Sequence, residues 1–152
     1  MADYLVYWKT YWQHVEEENR ASAPGWVTDN KGFYDRIRKN DRIWVVVTGG
    51  DSAPAEWRLL YWMRVTHVDP KRAKTVWGRY GITGSRKDSR AFYIERQPDL
   101  TAILWMLQFS TGRHIRSIGQ KIGQSLQTHG HRTLTESDVV LWESYAKCLR
   151  KA

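Results

Sequence analysis

The chain has 152 residues, of which 41% are hydrophobic and 26% charged, so its composition predicts one globular domain rather than a disordered segment. The formal net charge of +8 and the pI near 9.7 favour anionic partners, with nucleic acid first among them. No apolar run approaches the ~20 residues of a membrane span, and the N-terminus lacks a signal peptide's layout. No membrane partner is therefore expected. A single cysteine excludes an internal disulfide and favours a reducing, cytoplasmic setting.

The aromatic residues are unbalanced in kind, with nine Trp and eight Tyr but only three Phe. Trp and Tyr combine a flat apolar face with a hydrogen-bonding tip, a pairing used to stack and clamp nucleobases. Filling a core is the other use of Trp, and most of the nine are expected to serve it.

The first part of the chain predicts a short strand, two helices and a loop. The strand runs from Tyr4 to Trp8, and a helix follows from Thr10 to Arg20. Ala21 to Gly32 is rich in helix and strand breakers, which predicts an irregular loop. Phe33 to Lys39 is typical of a short helix.

Two strands, Arg42 to Thr48 and Glu56 to Val68, form the centre of the predicted sheet, since both are rich in β-branched and aromatic residues. On the first, strict alternation places Trp44 on the face opposite Ile43, Val45 and Val47. On the second, the same alternation assigns one face to Trp57, Leu59, Tyr61, Met63 and Val65. Neither strand has a wholly polar face, so both sides of the sheet are expected to be covered.

The remaining elements change from strands to helices along the chain. A strand from Thr75 to Tyr80, a basic loop from Gly81 to Arg90 and a strand from Ala91 to Glu95 are predicted first. Helical periodicity then follows over Asp99–Phe109, Ser117–Gln127 and a last helix opened by the capping box Thr135–Asp138. This order predicts an α+β fold: a small β-barrel core over residues 1–97 and a helical extension over 98–152, packed together as one domain.

Motifs for catalysis are missing from the sequence. It has no Gly-rich phosphate loop, no Cys pair for zinc and no nucleophile elbow, so we expect no enzyme, cofactor or metal. Three histidines, His114, His129 and His131, lie in a basic segment, which indicates phosphate contacts or plain surface more than a metal site.

Basic residues are interleaved with Trp and Tyr between Arg58 and Arg90 and cluster again further on. Cations of this kind position a protein on a nucleic-acid backbone, whereas another feature must specify the base. A solvated surface is the competing interpretation of the charge. The candidate backbone contacts are Arg86, Lys87, Arg90, Arg113, Arg116, Lys121 and Arg132.

The order of segments between Tyr4 and Glu95 resembles a known family. A strand ending Tyr7-Trp8-Lys9 precedes a loop with Gly25-Trp26 and Asn30, and a short helix then leads to the turn Lys39-Asn40-Asp41. This arrangement is similar to the EVE domains of the PUA-like superfamily, which also includes the YTH and ASCH domains.

The chain departs from the EVE pattern at two motifs. Asn40 stands where the family usually has Gly, and Thr10-Tyr11-Trp12 replaces an acidic-Pro motif after the first strand. The helical segment 98–152 lies outside the resemblance.

The resemblance implies a small β-barrel flanked by helices, with an aromatic pocket that reads a modified base in DNA or RNA. Trp8 and Lys9 would lie at one rim of that pocket, while Trp26 and Asn30 would supply a stacking wall and an amide for the base edge. Such modules often serve as recognition domains of modification-dependent restriction systems, which implies a nuclease as a partner.

Three further pocket residues come from the sequence pattern alone. Trp44 and Trp62 share the less regularly apolar face of their strands and are candidate walls, and Asp29 is a candidate acceptor for an exocyclic amine. The leading hypothesis is a non-enzymatic reader that accepts a flipped base, such as methylated or hydroxymethylated cytosine or N6-methyladenine, in double-stranded DNA. The alternatives are an RNA-binding PUA-like or ASCH-like protein, a nuclease or hydrolase, and a protein-interaction module with exposed Trp.

Overall fold

The computed structural model describes residues 1–9, 25–48, 56–69, 80–94, 96–115, 126 and 131–151, which form seven strands and three helices. The fold is mixed α+β, and its sheet curls into a half-barrel. The strands are β1 (Asp3–Tyr7), β2 (Gly25–Thr28), β3 (Arg42–Thr48), β4 (Trp57–Asp69), β5 (Tyr80–Gly84), β6 (Arg90–Ala91) and β7 (Arg132–Thr133). The helices are α1 (Lys31–Arg36), α2 (Thr101–Met106) and α3 (Glu136–Ala146).

The sheet is built around β4, which has 13 residues. The strand order is β2-β5-β4-β3-β1-β7, with β6 on the edge of β4 that β3 leaves open. The first half of β4 pairs with β3 and the second half with β5. The pairing of β1 with β3 is parallel, and the other described pairings are antiparallel. Register shifts between Val45 and Val46 and between Val65 and His67 mark irregularities that increase local twist and help the sheet to curl.

Both faces of the sheet are covered, as the two central strands predict. One face of the sheet, which we call the α3 face, packs against α2 and α3. The fully buried residues of this layer include Leu5, Trp44, Leu59, Leu104 and Trp142. The opposite face, which we call the α1 face, packs against α1. The fully buried residues of this layer include Phe33, Ile43, Val45, Met63 and Val65. Successive residues of β3 therefore contribute to two separate hydrophobic clusters.

The predicted alternation along β4 is wrong at one point. Val45 pairs with Tyr61 while Val46 pairs with Leu59, so Leu60 is an extra residue. A bulge of this kind shifts the alternation by one. Leu59 therefore packs on the α3 face although Tyr61 packs on the α1 face.

The second edge of β4 is occupied by a side chain as well as by strands. Gln97, which is buried, accepts from Leu59 N at 2.6 Å and donates Nε2 to Leu59 O at 2.9 Å. Immediately beyond, Phe92 N donates to Leu60 O at 3.0 Å, and β6 then pairs with Tyr61. The amide of Gln97 thus takes the place of a neighbouring strand.

Helix α3 begins at the capping box that the sequence predicts. Thr135 Oγ1 accepts from Asp138 N at 3.2 Å, and Asp138 Oδ2 accepts from Thr135 N at 3.0 Å. The buried Asp138 carboxylate also accepts from Gln108 N at 2.8 Å and from Phe109 N at 2.9 Å. It therefore ties α3 to the segment that follows α2.

Two segments predicted as loops contain strands. Gly25–Thr28 is β2 and Tyr80–Gly84 is β5, and the two pair antiparallel. Gly81 and Gly84 suggest a flexible loop in the sequence, but both are buried: Gly81 lies between β2 and β4, and Gly84 pairs with β4. Tertiary pairing overrides the local turn signal here.

Other elements differ from the prediction in their bounds. Helices α1 and α2 are shorter than predicted, and the strand expected from Ala91 to Glu95 is reduced to β6. β7 is a strand within the predicted helical extension, and it pairs with β1. The predicted elements Thr10–Arg20, Thr75–Tyr80 and Ser117–Gln127 lie outside the described residues, apart from Tyr80 and Leu126. Across the described ranges, no helix is long and apolar enough to cross a membrane.

Candidate functional site

A cleft of about 290 Å³ opens on the α3 face, between the centre of the sheet and the C-terminal end of α3. Trp62 is its partly exposed aromatic wall, and we call it the Trp62 cleft. Its volume is near the lower end of the range for small-molecule pockets. The lining residues are Arg42, Trp44, Trp62, Arg90, Phe92, Glu143, Ala146, Lys147 and Lys151.

The strand register builds the sheet side of the cleft. Trp44 of β3 pairs with Trp62 of β4, and Trp62 pairs with Arg90 of β6. Directly paired residues project from the same face of a sheet, so the two indoles and the guanidinium form one row. The ring centroids of Trp44 and Trp62 are 6.0 Å apart.

Helix α3 and the residues after it build the other side. Trp142 stacks on Trp44 with ring centroids 5.9 Å apart, which fixes the helix against the sheet. Phe92 forms a β-bridge with Lys151, and Tyr93 N donates to Arg150 O at 3.0 Å. The segment after α3 is thereby held beside β6.

The floor of the cleft contains a buried cation between two carboxylates. Arg42 Nε donates to Asp3 Oδ1 at 2.5 Å, and Arg42 Nη2 donates to Glu143 Oε1 at 2.9 Å. The guanidinium carbon lies 4.7 Å from the ring centroid of Trp44 and 5.1 Å from that of Trp62, within range of a cation–π interaction. The Arg42 side chain is 8% exposed and that of Asp3 12%, whereas that of Glu143 is 49% exposed.

The rim of the cleft is cationic. Arg90, Lys147 and Lys151 are all exposed lining residues. Arg90 Nη1 donates to the carbonyls of Lys87 and Ser89 at 3.2 and 2.9 Å, which orders its side chain beside the entrance. An anionic group approaching the cleft therefore meets three positive charges before it reaches the aromatic interior.

The structure divides the predicted base pocket between the two faces of the sheet. Trp8 and Trp26 pack against the α1 face, with ring centroids 6.2 Å apart and planes at 88°. Trp44 and Trp62 belong to the α3 face. These four indoles therefore do not line one pocket.

The polar residues predicted beside Trp26 are placed differently from one another. Asn30 Oδ1 accepts from Phe33 N at 2.9 Å, so this amide caps helix α1. Asp29 and Lys9 are exposed.

Trp44, expected as a stacking wall, is fully buried, and its Nε1 donates to Asp3 Oδ1 at 3.0 Å. Of the two tryptophans predicted from the strand pattern, Trp62 is the one that reaches the surface.

The predicted backbone contacts are also divided. Arg86, Lys87, Arg90 and Arg113 are exposed, which suits a phosphate contact, whereas Arg116 and Lys121 lie outside the described residues. Arg132 is buried with its guanidinium carbon 4.8 Å from the ring centroid of Phe109, so its assignment to the surface is corrected. Burial, together with the charge of Arg113, lowers the pKa of Arg132 from its ordinary value.

Six residues of the Trp62 cleft are absent from the sequence-based site: Arg42, Phe92, Glu143, Ala146, Lys147 and Lys151. Arg42 is two residues before Trp44 and shares its face, and Glu143, Lys147 and Lys151 follow one another at intervals of four, as neighbours on a helix face do. Those spacings are visible in the sequence. The pairing that brings Phe92 to Lys151 is not, because it joins two distant segments.

A second groove, of about 440 Å³, lies beyond the C-terminal end of α1. Among the described residues, Tyr34 is the aromatic side chain that lines it, and it is stacked on Tyr80 with ring centroids 4.6 Å apart. Arg38 donates to the carbonyls of Asp35 and Ile37 there. The Trp62 cleft offers more aromatic surface and more exposed cations.

The described residues contain no group of three or more His, Cys, Asp or Glu side chains that would hold a metal ion. His131 stacks on Phe33 with ring centroids 4.5 Å apart, and His114 Nδ1 lies 3.0 Å from Leu107 O. His129 falls outside these residues.

No protein-family model matches the chain, and no curated protein matches it in a sequence search. The fold and the cleft define it as an α+β half-barrel protein with an aromatic, cation-rimmed cleft.

Proposed function

We propose that the chain is a nucleic-acid-binding module that takes one unstacked base into the Trp62 cleft. The observation that carries this proposal is the combination, within one cavity of about 290 Å³, of an accessible indole and a rim of three cations. Bases stack on aromatic side chains whatever their identity, and phosphates are attracted by Lys and Arg. A base attached to its sugar-phosphate backbone carries both features, an aromatic face and an anionic phosphate.

Stacking and electrostatic attraction would each contribute to the binding affinity. A base stacked on Trp62 gains ~1–3 kcal/mol, and the rim cations add affinity that depends on salt. The buried row beneath Trp62, formed by Trp44 and Trp142, supports that indole from below the surface. A wall held in this way is ordered before the base arrives, which lowers the entropy lost on binding.

The finer version of the proposal follows the EVE resemblance. The half-barrel would be a PUA-like core, the base a modified one in double-stranded DNA, and the module the recognition part of a system with a nuclease. In a duplex, the base must first leave the stack, at a cost of a few kcal/mol. RNA, in which unpaired bases are already accessible, is the alternative substrate to compare.

Tryptophan fluorescence tests the proposal, because the nine Trp residues are natural probes. Short DNA duplexes, single DNA strands and single RNA strands would be titrated, unmodified or carrying 5-methylcytosine, 5-hydroxymethylcytosine or N6-methyladenine. We expect binding with quenching, and a loss of about tenfold or more in affinity for Trp62→Ala. Tighter binding of one modified duplex would identify the base.

Trp26→Ala is the matched control, since it removes an indole from the opposite face of the sheet. It should leave affinity within about twofold of the parent if the Trp62 cleft is the site. A loss confined to Trp26→Ala would instead indicate that the base binds on the α1 face, beside the pocket residues Trp26 and Asn30 that the EVE resemblance implies. The absence of binding to every oligonucleotide would refute the nucleic-acid function.

A further inference from the structure

Charged side chains of both signs contribute to the Trp62 cleft. The exposed cations Arg90, Lys147 and Lys151 lie at its rim, while the buried Arg42 lies at its floor between the carboxylates of Asp3 and Glu143. Asp3 and Glu143 both accept from this one cation. Exposed cations therefore lie beside a half-exposed carboxylate that accepts from a buried arginine, an arrangement that suits a ligand with a phosphate at one end and a hydrogen-bond donor at the other.

Of these two carboxylates, Glu143 is the one that a ligand can reach. Its Oε1 accepts one hydrogen bond from Arg42, its side chain is 49% exposed, and it lines the cleft. A carboxylate has about four lone-pair sites and accepts only. Asp3, by contrast, is nearly buried and already accepts from Arg42 and from Trp44 Nε1.

We infer that Glu143 selects a base whose exocyclic amine occupies the position of cytosine N4 or adenine N6, where guanine, uracil and thymine have a carbonyl. This inference rests on the proposed function and names the base class that the same site takes. With the base stacked on Trp62 and its phosphate beside the rim cations, the amine donates to the Glu143 carboxylate. Acidic side chains read the cytosine amine in this way in nucleic-acid grooves.

The same carboxylate disfavours bases with a carbonyl in place of the amine. Uracil and thymine present an oxygen there, so two acceptors would face each other in a partly desolvated cleft, and both would lose hydrogen bonds to water. Arg42 holds Glu143 and keeps it from turning away freely. The modified bases 5-methylcytosine and N6-methyladenine retain an amine hydrogen and remain in the accepted class.

The test compares strands that differ in one base. Short oligothymidine strands with deoxycytidine, deoxyadenosine, deoxyuridine or N4,N4-dimethyldeoxycytidine at the centre would be titrated by fluorescence. We expect the cytosine and adenine strands to bind about tenfold more tightly than the uracil strand, as a hydrogen bond to a charged group predicts. The dimethylated base, which has no amine hydrogen, should behave like uracil.

Glu143→Gln supplies the protein side of the test. Its amide oxygen can keep the hydrogen bond from Arg42 while its NH₂ group donates to a carbonyl, so the preference for cytosine over uracil should fall to about twofold or reverse. Glu136→Gln removes the same charge from an exposed position at the start of α3 and should leave the preference unchanged. Thermal unfolding checks that both variants fold.

The outcomes separate this inference from the proposed function. If Trp62→Ala lowers the affinity but the parent binds the cytosine and uracil strands equally, the proposed function stands and the selection by Glu143 is overturned. An equal gain in affinity for every strand in Glu143→Gln, larger than the gain in Glu136→Gln, also overturns this selection. Glu143 would then act only by repelling phosphate from Arg42. No binding of any strand overturns both proposals.

Discussion

Arg42 lies opposite Asp3 in the parallel pairing of β3 with β1, and neither side chain is more than 12% exposed. Removing one partner of a buried ion pair leaves the other charge without compensation, at about 3–5 kcal/mol. Arg42→Met should therefore lower the free energy of unfolding by about that amount, measured by urea denaturation. Glu143→Gln should cost under about 1 kcal/mol, since Glu143 is half exposed. Equal losses in the two variants would contradict this difference.

A second prediction concerns the rim cations and salt. For single strands, the slope of log affinity against log salt changes by about 0.7 for each phosphate contact. Lys147→Ala and Lys151→Ala should each make the slope shallower by about that amount, with little change in the preference between bases. Lys31→Ala is the control, because Lys31 pairs with Asp35 on α1. An unchanged slope in all three variants would show that the phosphates lie elsewhere.

A third prediction concerns alkaline stability. Burial raises the pKa of Tyr145 to about 12 from its ordinary 10.0, with smaller effects from nearby charges, and its hydroxyl donates to Pro98 O at 3.0 Å. The unfolded chain loses this proton near pH 10, so the contribution is complete below pH 10 and is lost as the pH rises towards 12. The urea midpoint should fall over that interval.

Tyr145→Phe isolates this contribution, since Phe cannot ionise. The variant should show a shallower fall in urea midpoint between pH 10 and 12 than the parent. Tyr4, whose pKa burial also raises, is present in both proteins and contributes equally to each. Parallel curves for parent and variant would contradict the prediction.

A fourth prediction concerns the buried carboxylate of Asp138, which accepts from the backbone N–H groups of Gln108, Phe109 and Thr135. Asp138→Ala leaves these donors without their acceptor and should cost about 3 kcal/mol or more. Phe109 has a positive φ of 54°, which the bond to Asp138 helps to hold. Hydrogen exchange should show lower protection at Gln108 and Phe109. Ser137→Ala, an exposed neighbour, should preserve both stability and protection.

The sequence predicts the parts of the fold whose signal is local. Strand β3 has the predicted bounds, and the Thr135–Asp138 capping box opens α3 as predicted. β5 is missed because its glycines suggest a loop, whereas the burial that makes it a strand comes from β2 and β4. The bulge at Leu60 is missed for a similar reason, since nothing local breaks the alternation.

The candidate site was predictable only in part. Alternation places Trp44 and Trp62 on one face, but it does not reveal that Trp44 is covered by Trp142 from the other end of the chain. Asn30 and Trp26 come from the resemblance, and the structure sets them on the α1 face, with Asn30 as a helix cap. Depth, which separates Arg42 from the rim cations, is a tertiary property and leaves no periodic trace in sequence.

The Gln97 amide on Leu59 has a consequence for behaviour at high concentration. A long, apolar strand with unpaired N–H and C=O groups is a template on which another chain can add and begin aggregation. Along β4, that template is interrupted by Gln97 at Leu59, by Phe92 at Leu60 and by β6 at Tyr61 and Trp62. The longest strand of the sheet is thus shielded from intermolecular pairing over this stretch, even though one of its indoles remains accessible to a ligand.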